Sequence, residues 1–353
     1  MDGFEKQNAP EDSVRVPWEP YYGGEPTPTP DPGVDDLKTA KKHFSRLGLG
    51  IFLILLVTMA AQLALMVGLE VLLPGWMEHP WGIWLANFLP MYLIAVPVGL
   101  LVLRTVPANA PEQRTLRPGQ CFKAAAISIF MMYAGSLVGN FVAQWLYTLL
   151  GITVENPVED LVMGSSLIPR VLFTVILAPI LEEYIFRKQL IDRARIYGGK
   201  LAVIASALIF GLFHGNLSQL FYAASLGLVF GYVYLNTGKL RYSIGLHMLI
   251  NFMGGVLAPL FLEHLPELEN AELSDLTALG EKLPWVLGFS AYTYALLGIG
   301  ITGLVLLCVS FRKLTFTPAE LLPKGKRFRT VCLNAGVLLL LLGCLGEIVL
   351  SLL

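Results

Sequence analysis

Two adjacent carboxylates and an arginine close an apolar run in this chain: Leu181-Glu182-Glu183-Tyr184-Ile185-Phe186-Arg187 follows the stretch 171–181. A charge at the centre of a bilayer helix costs roughly 2.5–3.5 kcal/mol on insertion scales, so such residues are paired, functional or both. Glu183 and Arg187 are four apart, which puts them on one helix face with the acid on the favourable N-terminal side. Glu182 lies about 100° further round the helix and has no such partner. One carboxylate is therefore expected to be structural and the other free for proton transfer.

Two of the five histidines also fall within apolar runs. His214 ends Phe210-Gly211-Leu212-Phe213-His214, and His247 opens His247-Met248-Leu249-Ile250-Asn251. In each motif the end residues share a helix face, so Asn251 points the same way as His247. Each element has a plain reading by itself. A glutamate pair with arginine can be a solvated helix end, a histidine on an apolar face is often a hydrogen-bonded packing residue, and an intramembrane asparagine often bridges helices. Their concentration between about 170 and 255 is harder to explain by structure alone.

The elements that must hold these residues are membrane helices. Of 353 residues 55% are hydrophobic and 14% charged, against about 25% charged in soluble domains, and the mean hydropathy is +0.64. The expected fold is all-α, a polytopic transmembrane helical bundle of about nine membrane segments: near 48–73, 82–103, 124–150, 166–186, 201–214, 218–236, 242–262, 284–311 and 328–351. Residues 1–45 read as a disordered, Pro-rich cytoplasmic tail, 46–150 as N-terminal transmembrane helices, 151–262 as the functional core and 263–353 as C-terminal transmembrane helices. Lys38, Lys41, Lys42 and Arg46 flank the first span, and basic loops recur at alternate connections. By the positive-inside rule this predicts a multi-pass cell-membrane protein with a cytoplasmic N-terminus.

Trp76, Trp81 and Trp84 read as interfacial anchors, and Glu70 and Glu347 as span-end residues reaching the interface. The run 201–213 is short for a crossing. A tilted or a re-entrant path would both leave the His214-Gly215-Asn216 turn inside the protein, where a hydrolytic site could draw water. No basic cluster suggests nucleic acid. Cys121, Cys308, Cys332 and Cys344 show no CxxC spacing.

Together the residues resemble the CPBP family of intramembrane proteases, which includes CAAX prenyl proteases and bacteriocin-processing or immunity proteins. EExxxR matches Glu182, Glu183 and Arg187; FxxxH matches Phe210 and His214; HxxxN matches His247 and Asn251. The likeness covers roughly 165–255. Lys188 departs from the small residue that many members carry there, which bears on substrate access.

The resemblance implies an intramembrane endopeptidase acting on a membrane protein or peptide within the lipid bilayer. Glu182 would be the general base, His214 would help hold the water, and His247 with Asn251 would stabilise the oxyanion. Glu183, Arg187 and Phe210 would support them. Zinc is the cofactor such a set could hold, with Glu182, His214 and His247 as candidate ligands. HExxH is absent, and a metal-free glutamate mechanism stands beside the zinc one. The competing readings are a non-catalytic partner or immunity-type protein using the same fold, and a proton-coupled transporter.

Overall fold

The computed structural model describes residues 34–152, 163, 165–265 and 276–352; residues 1–33 of the expected tail lie outside them. All the regular structure among the described residues is helical. The first helix, α1, spans Val34–Leu72 and so begins within the stretch assigned to the tail. Asp35 and Asp36 occupy its first turn, the favourable end of the helix dipole, and Asp35 pairs with Lys38 one turn on. After it come α2 (Gly82–Leu103), α3 (Pro118–Leu150), α4 (167–194), α5 (Gly199–Leu212) and α6 (Leu217–Thr237). The chain closes with α7 (Leu240–Leu262), α8 (Leu276–Phe311), and α9 (Arg327–Val331) with α10 (Ala335–Leu350), a pair bent by 68°.

The expected nine spans are too many. Among the described residues six helices are long and apolar enough to cross a bilayer, or seven if the bent pair is one span. The two segments that drop out on either count are the ones carrying the first two motifs. In α4 the apolar length is broken by Arg170, Glu182, Glu183 and Arg187. Helix α5 has 14 residues, about 21 Å at 1.5 Å per residue, against a hydrocarbon thickness of about 30 Å.

Prolines shape three helices in the same way. The π-type segments Met91–Ala95, Val171–Leu177 and Met253–Leu257 lie just before Pro97, Pro179 and Pro259. A helical proline has no N–H and its ring pushes on the carbonyl four residues earlier, and a wider turn relieves the push. In α4 the Ala178 N–H therefore bonds back to Phe173 O. The next carbonyl, Thr174, would need the N–H that Pro179 lacks, so it is free for a side chain.

Helix α6 is the central strut, packed on α3 and α5, while α1 lies along α2 and α10. Close approach depends on small residues. A Cβ on Gly211 would stand 2.5 Å from Leu220 O and 2.8 Å from the Ala224 Cβ, and one on Gly227 would stand 2.8 Å from the Ala207 Cα. Gly215 (φ 67°) makes the reversal between α5 and α6 in the left-handed region open to glycine. Asn216 then caps α6, its Oδ1 accepting from Gln219 N at 2.9 Å.

Candidate active site

Glu183 and Arg187 are both fully buried and form a two-pronged pair, Nε to Oε2 at 3.0 Å and NH2 to Oε1 at 3.2 Å. The remaining guanidinium nitrogen, NH1, donates to Ser206 Oγ on α5 at 2.8 Å, and Ser206 donates to Phe186 O. The Phe210 ring lies 4.7 Å from the Arg187 Cζ and meets His214 edge-on at 4.9 Å. Phe210 is thus the cation–π floor of the ion pair and a wall for the histidine. Phe230 of α6 covers the other side, 5.9 Å from Arg187 and 5.4 Å from the His247 ring.

His247 of α7 completes this buried set. Its Nδ1 lies 3.2 Å from Glu183 Oε1, and because a carboxylate only accepts, Nδ1 carries the proton. Its Nε2 lies 3.8 Å from Glu182 Oε2, too far for a direct hydrogen bond. That carboxylate oxygen is buried and has no hydrogen-bond partner.

His214 is held by its own helix, Nδ1 donating to Phe210 O at 2.7 Å, which leaves Nε2 of the neutral ring as an acceptor. Asn251 spends one N–H on Thr174 O at 2.8 Å, the carbonyl that Pro179 leaves free. Its second N–H remains to be used.

Glu182, His214, His247 and Asn251 all line one cavity of about 560 Å³. The rest of its wall is mostly apolar, with Phe88, Met132, Leu226 and Leu262 among the lining residues. Among the described residues no three His, Cys, Asp or Glu side chains stand close enough to share a metal ion. The donor set does not fit the zinc site considered from sequence, so the chemistry below takes no step through a metal.

Residues 164–253 match the family model described as type II CAAX prenyl endopeptidase, Rce1-like. Over this segment the chain is similar to the Rce1-like, CPBP family. It is 29% identical over 188 residues to "Putative membrane peptidase YdiL" of Bacillus subtilis (strain 168), an alignment covering 50% of this chain and 71% of that protein. It is 34% identical over 132 residues to "Membrane-embedded CAAX protease MroQ" of Staphylococcus aureus (strain USA300), covering 35% of this chain and 52% of that one. No solved structure matches.

The matched segment contains all three motifs, and the cavity draws further residues from outside it. Trp84 is fully enclosed and stacks on Phe173 at 5.8 Å, so it is a cavity wall and not the interfacial anchor its type suggested. Lys188 pairs with Asp192 at 2.8 Å, and Asp192 also accepts from Tyr234. Its amine is engaged in a surface-facing structural contact. Glu347 of α10 comes against the turn after His214; a Cβ on Gly215 would be 3.1 Å from its Oε2. Ser206, Phe230 and Thr174 carry no motif signal, because their roles arise only where α4, α5, α6 and α7 meet.

Proposed function

We propose that the protein is an intramembrane endopeptidase that hydrolyses a peptide bond in a membrane-associated protein or peptide. The observation that carries this reading is the unpartnered, buried Oε2 of Glu182 in the cavity that also holds His214, His247 and Asn251. Glu183 is occupied by Arg187 and His247, which leaves Glu182 as the carboxylate able to act.

Glu182 takes a proton from water as the water oxygen bonds to the scissile carbonyl carbon. His214 Nε2 accepts the second hydrogen of that water and fixes its orientation. The carbonyl π electrons move to oxygen, and the oxyanion is met by His247, protonated at Nε2, and by the second N–H of Asn251. Such donors are worth about 2.7–4 kcal/mol each in a dry site. Glu182 then returns its proton to the amide nitrogen as the C–N bond breaks. The apolar wall suits an unwound segment of a membrane-embedded chain. The basic loops support a cytoplasmic N-terminus.

The test is proteolysis by the purified protein in liposomes against a pool of membrane-anchored peptides, with products read by mass spectrometry. Wild type should cut and Glu182→Ala and His247→Ala should not. Cleavage that survives Glu182→Ala removes the base assignment. A wild-type protein that cuts nothing in the pool favours a non-catalytic binding role.

A further inference from the structure

Between the second and third motifs, α6 brings Gln219 and Tyr222 to the wall of the cavity that Glu182, His214, His247 and Asn251 also line. The two side chains meet at their tips, Gln219 Nε2 standing 2.9 Å from Tyr222 Oη. Behind them runs a chain of polar groups whose directions are set by the backbone, since a main-chain N–H only donates and a main-chain carbonyl only accepts. Gln219 N donates to Asn216 Oδ1, so the other amide atom of Asn216 is the nitrogen, and it donates to His214 O at 2.9 Å. The same nitrogen donates at 2.9 Å to Gln219 Oε1, which turns the Gln219 nitrogen towards Tyr222.

The phenol oxygen therefore accepts, and its own proton is directed elsewhere. No group among the described residues takes it. Gln219 Nε2 has a second hydrogen beyond the one given to Tyr222. Two donors are thus left over on side chains that line the cavity. The cap of α6 is complete with Asn216 Oδ1 and Gln219 N, so capping does not account for the tyrosine hydroxyl.

A mostly apolar pocket orients its ligand through a few placed polar groups. A membrane-embedded chain must lose helical hydrogen bonds before its peptide bond can reach Glu182. Each carbonyl freed away from bulk water is unfavourable until a donor meets it. His247 and Asn251 serve the scissile carbonyl, and its neighbours along the unwound chain need donors of their own.

We propose that Tyr222 and Gln219 form a substrate-positioning subsite, donating to a main-chain carbonyl of the unwound chain beside the scissile bond. This rests on the endopeptidase reading. A main-chain carbonyl is common to every peptide, so the subsite selects for unwinding and not for a particular side chain.

The probe is a dansyl-labelled leucine–alanine peptide of about 25 residues, long enough to span a bilayer, with a central Gly-Gly pair. A second probe replaces the peptide bonds around that pair with trans-alkenes, which keep the shape and lack the carbonyls. Both are bound to the full-length protein in phosphatidylcholine vesicles and read by energy transfer from the protein's tryptophans. A Glu182→Gln background keeps cleavage out of the measurement. Adding Tyr222→Phe should weaken binding of the amide probe about fivefold, the worth of one hydrogen bond, and leave the alkene probe unchanged. Equal binding of the amide probe with and without Tyr222→Phe, an equal loss on both probes, or no saturable binding overturns the proposal. A wild-type protein that binds the amide probe and never cuts it removes the endopeptidase reading instead, and the comparison of the two probes still decides the subsite.

Discussion

His247 donates through Nδ1 to Oε1 of Glu183, 3.2 Å away, the same carboxylate oxygen that receives NH2 of Arg187. The second glutamate of the EExxxR motif is thus the hub that ties α4 to α7 and keeps the His247 ring turned so that Nε2 faces Glu182. The two neighbouring glutamates have different jobs because their helix faces differ by about 100°.

That division predicts opposite losses. Glu183→Gln strands Arg187 in a fully buried site and releases His247, at a cost of about 3–5 kcal/mol. Its thermal midpoint in detergent should drop well below wild type. Glu182→Gln removes no ion pair with Arg187 and should melt as wild type while losing cleavage. Equal melting losses in the two variants would undo the assignment.

The motif faces were legible from sequence because i, i+4 spacing fixes which residues share a side of a helix. The pairing of Glu183 with Arg187 follows from that rule and nothing else. The span count was not legible, since α4 and α5 carry apolar residues at membrane-like density while one holds the site's charges and the other is too short. Ser206 and Phe230 stayed hidden for a different reason: each meets the site across a helix contact that no local pattern encodes. Trp84 shows the converse, a residue type with a strong interfacial habit that α2 and α4 enclose completely.

The proline in α4 predicts a separable effect on Asn251. Asn251→Ala leaves the Thr174 carbonyl without its 2.8 Å partner, costing about 1–3 kcal/mol of stability, and should lower kcat by about 10²–10³. Pro179→Ala supplies a backbone N–H to that carbonyl, so it should keep or raise stability yet loosen Asn251 and lower kcat. A Pro179→Ala enzyme with wild-type kcat would mean that the Thr174 bond does not position Asn251.

The contact between α5 and α6 predicts a sharp contrast between two glycines near the motifs. At Gly211, three residues before His214, a side chain runs into Leu220 O and Ala224 of α6. Gly211→Val should therefore force the hairpin apart, cost about 1–3 kcal/mol by overpacking, and abolish cleavage by moving His214. At Gly245, two residues before His247, a Cβ meets nothing within 4 Å. Gly245→Ala should be neutral or stabilise by about 0.4–1 kcal/mol, because alanine has fewer unfolded conformations to lose. Thermal midpoints and cleavage rates of the two variants side by side check this. If Gly211→Val retains activity, the close packing of α5 on α6 is not what places His214 in the cavity.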